Sequence, residues 1–404
     1  MSQGGGSNRG WVVTFSGTGI NLALGVLYTW SVISKRIPDD WGWSEANRAL
    51  PYTIACLVFA LMMVPAGKLQ DKFGPRVVAS LGGVLTGLGL MLASQFTNLG
   101  MFIVGFGILA GTGIGFGYAS ATPPAVKWFP PARTGMIAGI VVSGFGLASV
   151  YIAPLANYLI GARGVSSTMF IFGVAFMIVV VLLSQLLVNP PAPEAAAKAA
   201  AKTSLPPGEI SASDMMKTPQ FYMMWLMYAF NAGAGLMIIG KLAKLVDIQA
   251  GFKAGFILVA LLAIGNAGGR LLAGTMSDKY GRVKILQAFT AFQCVLMFLT
   301  PFMTNAYVLI VFSMCIGMNY GSNLALFPSI TKDFFGLKNF GVNYGLVFTA
   351  WGAGSILALV AGKMYDLYGK FDYALYLSGC LLVVTLVLSL IVKKPEFKGA
   401  ESAA

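Results

Sequence analysis

The sequence predicts an all-α membrane protein with twelve transmembrane helices in two pseudo-symmetric six-helix bundles. Composition, the number of long apolar runs and an internal repeat carry this expectation. The 404 residues are 57% hydrophobic and only 10% charged, with a mean hydropathy of +0.77, well outside the range of soluble globular domains. The net charge of +13 is scattered through short loops and not gathered on one face, which argues against nucleic acid as a partner. Cys56, Cys294, Cys315 and Cys380 fall inside apolar runs without paired spacing and read as small core residues, not disulfides or metal ligands. Histidine is absent, which removes imidazole catalysis, histidine metal sites and a histidine proton relay. Neither a metal nor a cofactor is expected. An enzyme is not expected either, because the spans hold no paired acid and base groups.

Taken in order, a Gly/Ser-rich head at 1–10, expected to be disordered, precedes the first apolar run at 11–34. That run is too long for a signal-peptide core and lacks a cleavage site, so it reads as a spanning helix. Runs at 47–70, 76–94, 98–124, 134–160 and 166–188 follow, each long enough to cross a bilayer. The glycine-rich strings at 82–89 and 107–117 follow no strand, so they point to close helix packing and not to a dinucleotide. Residues 189–218 form the one long polar connection, and their Pro and Ala/Lys content suggests a solvent-exposed, partly helical linker. The second set of runs covers 219–246, 252–276, 283–303, 305–330, 340–363 and 371–392. The expected bundles are therefore 11–188 and 219–393, with a tail at 394–404.

Loop charge sets an orientation. Seventeen of the 27 lysines and arginines fall on the side of the termini and nine on or near the other side, with Arg270 between them. The positive-inside rule then puts both termini in the cytoplasm of a cell (inner) membrane. The same assignment leaves none of the 14 acidic residues at mid-membrane depth.

The two halves repeat each other. Gly67-Lys-Leu-Gln-Asp71-Lys72-Phe-Gly74-Pro-Arg76 returns as Gly274-Thr-Met-Ser-Asp278-Lys279-Tyr-Gly281-Arg282, 207 residues later. The fifth and eleventh runs match at an offset of 206, pairing Gly135 with Gly341, Phe145 with Trp351 and Gly146 with Gly352. Gly115 to Ser120 in the fourth run resembles Gly317 to Ser322 in the tenth, pairing Tyr118 with Tyr320. A parallel six-plus-six repeat is a transporter architecture with its site between the halves near the midplane. No phosphate loop is found, so transport is expected to be secondary.

Arg270 is the one full charge inside the eighth run. It lies eight residues before Asp278, roughly 12 Å along a helix rising ~1.5 Å per residue, near the middle of a hydrocarbon layer ~30 Å thick. A buried guanidinium stays protonated and is functional by default, so with no protein carboxylate at its depth its natural partner is an anionic substrate. Pairing with a helix carbonyl is the structural alternative. Asn266, one turn earlier on the same face, can orient the guanidinium or bond a substrate hydroxyl, or serve as polar glue between helices.

The repeated G-x-L-x-D-K-x-G-P-R motif and the twelve runs resemble the major facilitator superfamily over essentially the whole chain, which implies its fold. In that superfamily the motif's acidic and basic residues form a cytoplasmic charge latch between helices, which implies this role for Asp71, Arg76, Asp278 and Arg282; ordinary loop charge is the alternative. Tyr28-Thr-Trp30, Lys127-Trp128-Phe129-Pro130, Arg133-x-Gly135, Thr218-Pro219-Gln220-Phe221 and Asn343-Tyr344-Gly345 resemble the monocarboxylate transporter and oxalate:formate antiporter branch. The resemblance implies that Arg270 binds a carboxylate, and that the protein moves a small monocarboxylate of the lactate or pyruvate type by alternating access. The branch's proton-linked symport is the expected coupling.

Two departures shape the expectation. The lysine that serves a second carboxylate in oxalate antiporters is Trp351 here, so a dicarboxylate would keep one buried charge unmatched. The aspartate one turn before the arginine in animal monocarboxylate transporters is Asn266. A proton would then have to travel with the substrate or through a helix-end residue such as Asp247 or Lys363. Carboxylate anion exchange needs no such group and is the alternative; a non-transporting carboxylate sensor is a third reading.

Further candidates for the binding site are Tyr118 and Tyr320, as hydroxyl donors on both sides of a carboxylate, with Tyr28, Leu27, Phe348 and Trp351 around them. Trp351 would wall the cavity, or simply pack helices. Asn21, Phe145, Leu147, Asn319 and Asn323 are weaker candidates. The partners expected are a small monocarboxylate anion, a proton and the lipid bilayer, for a monomeric protein.

Overall fold

The computed structural model describes residues 3–129, 133–190, 210–336 and 339–395, without the side chains of 3–7, 71, 134 and 135. Eleven of its helices are long and apolar enough to cross a membrane. They are α1 (Asn8–Lys35), α2 (Glu45–Gln70), α3 (Pro75–Ser94), α4 (Leu99–Val126), the continuous stretch Met136–Ser184, α7 (Pro219–Ala250), α8 (Gly255–Tyr280), α9 (Arg282–Phe302), α10 (Ala306–Phe335), α11 (Phe340–Tyr368) and α12 (Asp372–Ile391). The continuous stretch is broken by Gly164 at φ 78° and ψ 173°. It therefore supplies two spans, α5 (136–163) and α6 (165–184), and the chain crosses twelve times.

The repeated motif explains two of the turns. Gly74 and Gly281 sit at φ 82° and 95°, a conformation a Cβ resists. Each ends one helix and starts the next within a residue, so α2–α3 and α8–α9 are tight hairpins on the face where both ends of the chain emerge, the terminus face. On the opposite, far face, the Ser44 hydroxyl accepts from Asn47 N at 3.2 Å and caps α2.

Small residues set the packing within each half, as expected where lipid removes the hydrophobic drive between helices. A Cβ added at Gly265 or Gly269 of α8 would overlap the carbonyls of Met314 or Met318 on α10. Gly317 and Gly321 of α10 meet the Leu262 and Asn266 carbonyls in the same way. On the other half, Gly82 of α3 lies so close to α4 that a Cβ would be 2.6 Å from Gly117 N. The two glycine-rich strings are thus helix contacts, as their composition suggested.

The halves meet through α2 against α11 and α5 against α8. Thr53 and Ser355 bond reciprocally across the first pair, each hydroxyl donating to the other's carbonyl at 3.2 Å. Among the described residues, every hydrogen bond and ion pair between the halves lies at the level of Arg270 or on the far side of it. Towards the terminus face the contacts thin: Gly139, Gly274 and Gly341 have nothing within 4 Å of an added Cβ, although Val64 of α2 still meets Gly345 of α11. The polar bonds that close the molecule are thus gathered from the midplane to the far face.

Two segments differ from expectation. The head is not disordered throughout, because a helix begins at Gln3. It is anchored where Gly10 and Trp11 pack on Trp128 and Phe129, the Trp11 and Phe129 rings lying 5.2 Å apart edge to face. The last part of the linker is docked through two buried side chains, while Ser213, Asp214, Met216 and Lys217 stay exposed. Ile210 and Met215 are buried, Ile210 N donates to Phe335 O at 3.3 Å, and Asn339 and Asn343 both donate to Ile210 O. Ser211 and Lys217 donate to the Asp214 carboxylate of the short helix Ala212–Met215, and those bonds hold this exposed carboxyl below its usual range. The linker at 191–209 and the tail beyond 395 lie outside the described residues.

Candidate functional site

Arg270 is placed by a rigid helix. The α8–α10 glycine contact fixes α8 at backbone distance, and one turn of helix aligns Arg270 with Asn266. Arg270 Nε donates to Asn266 Oδ1 at 3.2 Å, and Nη1 crosses between the halves to donate to Val142 O of α5 at 2.9 Å. Gly146 admits this approach: a Cβ there would lie 3.3 Å from Arg270 Nη2 and 3.5 Å from Asn266 Nδ2. Asn21 from α1 donates to the neighbouring Val141 carbonyl at 2.8 Å, so α5 is gripped from both sides.

The carbonyl contact is the structural alternative named above, and it does not satisfy the group. A guanidinium has five N–H donors, and two are used. No carboxylate among the described residues lies within ion-pair distance of Arg270, which is only partly buried. Asn266 is 0% exposed and its Nδ2 has no partner, while its Oδ1 is committed to Arg270, which fixes the amide's orientation. Asn231 Nδ2 and Gln293 Nε2 are unpaired too, but among these donors only Asn266 adjoins a cation. Arg270 and Asn266 thus keep unpaired donors side by side next to Gly146, the Asn266 amide sealed from solvent in this state.

An aromatic wall closes the far side of the gap between the halves. α1 narrows to a 3-10 turn at Gly25–Thr29, where Leu27 and Tyr28 are buried. Tyr28 and Tyr320 share a hydrogen bond of 2.6 Å between the halves, and Trp351 Nε1 donates to the Tyr320 hydroxyl at 2.7 Å. Phe145 meets Tyr28 and Tyr118 edge to face at 4.9 and 5.3 Å, and Phe348 stacks on Trp351 at 5.1 Å.

The pairing of Tyr118 with Tyr320 as two donors to one carboxylate is corrected by this geometry. Tyr320 is fully buried with its hydroxyl engaged by Tyr28 and Trp351, whereas Tyr118 is half-buried beside the gap. Trp351 is 1% exposed and packs helices. Phe348 belongs to the same stack. Asn319 and Asn323 spend their amides on α10 carbonyls.

The latch residues sit at the terminus face. Arg282 pairs with Asp278 and reaches Asp333 of α10 at 3.6 Å, while Arg76 donates to Leu187 O at 3.2 Å, so each ties helices within one half. The side chain of Asp71 lies outside those described. At the far face Asp247 pairs with Lys35 at 3.0 Å, and Lys363 is exposed. Both are remote from Arg270.

The far-face seal was not legible in the sequence, which places Glu45, Arg48, Lys241 and Lys244 in or near loops. Glu45 and Lys241 are 5% and 3% exposed. Lys241 Nζ donates to Glu45 O at 2.8 Å and Oε2 at 3.1 Å, and Lys244 donates to Oε1 at 2.7 Å. Asp366 of α11 accepts from Glu45 N and Ala46 N at 2.7 and 2.9 Å, capping α2 from the other half. A groove of about 680 Å³ at the far ends of α3 and α6, lined by Ser94, Arg163 and Phe170 among others, is unconnected with Arg270.

Twelve spans in two bundles, bonded across one face around an unneutralised central cation, are the architecture of a multi-pass membrane transporter. The Major Facilitator Superfamily model matches residues 11–286 and 243–404, and the chain belongs to that superfamily. It is 30% identical over 357 residues to the uncharacterized MFS-type transporter YhjX of Escherichia coli, covering 85% of each chain. It is 27% identical over 344 residues to the oxalate:formate antiporter of Oxalobacter formigenes, covering 83% of this chain and 79% of that one. The crystal structure of a bacterial homologue of the human lysosomal transporter Spinster, inward-facing and unoccupied, superposes with a TM-score of 0.61 at 17% identity, over 97% and 96% of the two chains. That likeness is one of fold.

Proposed function

We propose that the protein is a secondary carrier of a small monocarboxylate of the lactate or pyruvate class, with Arg270 as the carboxylate-binding group. The observation that carries the reading is the pair of unpaired donors on Arg270 and Asn266, side by side where α5 crosses α8, with no carboxylate among the described residues in reach. A carboxylate there would neutralise the guanidinium with charge-assisted hydrogen bonds and let the gap close from water. The half-buried Tyr118 would border its tail. A single cation matches one carboxylate, which favours a monocarboxylate over oxalate. Both termini face the cytoplasm on the loop-charge argument.

Proton-linked symport is the coupling that the family resemblance implies. Anion exchange is favoured by one observation: Asp247 is committed to Lys35 at the far face, and an empty carrier would have to return with Arg270 unneutralised. Uptake of labelled lactate into proteoliposomes tests both levels. Stimulation by an inward proton gradient into empty vesicles supports symport, and uptake only into vesicles loaded with unlabelled substrate supports exchange. Native uptake by Arg270→Ala would sink the site assignment.

A further inference from the structure

Glu45 is engaged by the opposite half through four of its atoms. Its two carboxylate oxygens take Lys244 and Lys241, its carbonyl takes Lys241 a second time, and its N–H donates to Asp366. No other described residue gathers so many polar contacts between the halves. We infer that Glu45 is the residue that holds the far face shut, and that opening proceeds by exchange of ion-pair partners within each half. The inference concerns alternating access itself and stands whatever the cargo is.

The charges are arranged for such an exchange. A charge as buried as that of Lys241 is not released without a new partner. On its own half Glu45 already has Arg48 one turn along, Nε to Oε1 3.5 Å, and Arg48 also holds Asp39 at 2.9 Å and Ser34 O at 2.9 Å. On the other half, Asp366 is freed by the step that frees Lys241 and Lys244. Asp247, freed from Lys35, lies three residues after Lys244, within reach on one helix face. Lys363 on α11 and the Tyr365 ring, 4.5 Å from Lys244 Nζ, complete the charged and polar surroundings. Parting the halves thus replaces pairs between halves with pairs inside them and leaves only Lys35, at the far-face end of α1, to water. The steps beneath the seal are apolar or neutral: Gly240 rests on the Tyr52 ring and Tyr52 donates to Leu236 O at 3.2 Å.

Cys56 supplies the reporter. It is 0% exposed in this far-closed state, on α2 below Glu45 and against α11. With Cys294, Cys315 and Cys380 replaced by serine, its alkylation by an impermeant maleimide reads opening at the far face. Glu45→Gln should raise the labelling rate at least tenfold, because it strands the buried Lys241. Lys241→Gln should raise it too, and the double variant should label no faster than the quicker single one, because both remove the same pair. Labelling of Glu45→Gln within twofold of the parent, or single effects that multiply in the double variant, would overturn the inference. Should Glu45→Gln not yield folded protein, Lys244→Gln carries the test, since its side chain is 27% exposed. A rise of about threefold supports the seal, and no rise overturns it.

Discussion

Replacing Arg270 with lysine keeps a cation in the gap and removes its fork. The native guanidinium spends Nε on Asn266 at 3.2 Å and one Nη1 proton on Val142 O at 2.9 Å, leaving three donors, two of which can meet both oxygens of a carboxylate side by side. Lysine has three donors on one nitrogen and no planar fork, so it cannot meet both oxygens of the carboxylate side by side. Loss of one charge-assisted hydrogen bond costs about 1.5–3 kcal/mol, which at about 1.4 kcal/mol per decade is a ~10- to ~150-fold rise in Kd. Titration calorimetry of the purified protein with lactate reads this directly, alongside its thermal midpoint, which should stay near native because the site is partly solvated. An Arg270→Lys protein that binds within threefold of native would refute the bidentate geometry.

Other substitutions test the surroundings. Gly269→Ala should lower thermal stability by the equivalent of about 1–3 kcal/mol, because its Cβ would overlap the Met318 carbonyl; Gly268→Ala, with nothing within 4 Å, is the control and should melt as native. Asp366→Ala removes a charged cap from α2 worth about 1 kcal/mol and should raise far-face labelling of Cys56 about fivefold, an unchanged rate counting against the cap. Trp351→Lys adds a second cation beside the wall and should shift preference from lactate toward oxalate at least tenfold in competition uptake, about the worth of one charge-assisted bond. Unchanged selectivity would sink the one-cation argument.

What the sequence made legible is what depends on neighbours in the chain or on its repeat. Arg270 and Asn266 are four residues apart on one helix, so their contact follows from helical geometry alone. The repeated Gly74 and Gly281 mark the hairpins because only their backbone conformation is needed there. The seal is different in kind. Glu45 bonds a lysine 196 residues away and Tyr28 a tyrosine 292 residues away, and neither pairing leaves a mark on hydropathy. A charged residue near the end of an apolar run looks the same whether it meets water or a buried partner, so Glu45 and Lys241 read as charge at or near the far surface. The docked Ile210 and Met215 were hidden likewise, as single apolar residues in a polar stretch.

The repeat also places two glycines at equivalent positions whose surroundings have diverged, and this separates binding from closure. Gly146 lies where α5 crosses α8, beside the free donors of Arg270 and Asn266. Its mate Gly352 lies where α11 crosses α2, and a Cβ there would be 2.6 Å from the Ala60 Cβ and 3.1 Å from Cys56 O. One crossing keeps a polar gap and the other is packed shut, so a single pseudo-symmetric frame holds the site on one side and a hinge contact on the other. A methyl at Gly146 changes no charge but fills the space an anion would share with both donors, and it meets the movable end of Arg270 at 3.3 Å and the Asn266 amide at 3.5 Å. Gly146→Ala should therefore fold as native and bind carboxylate at least tenfold more weakly, the loss of about one charged hydrogen bond. Gly352→Ala should bind within threefold of native but label faster at Cys56, because the methyl wedges α2 from α11. Equal effects of the two on binding would mean that the carboxylate does not lie beside Gly146, and the gap would lose its assignment.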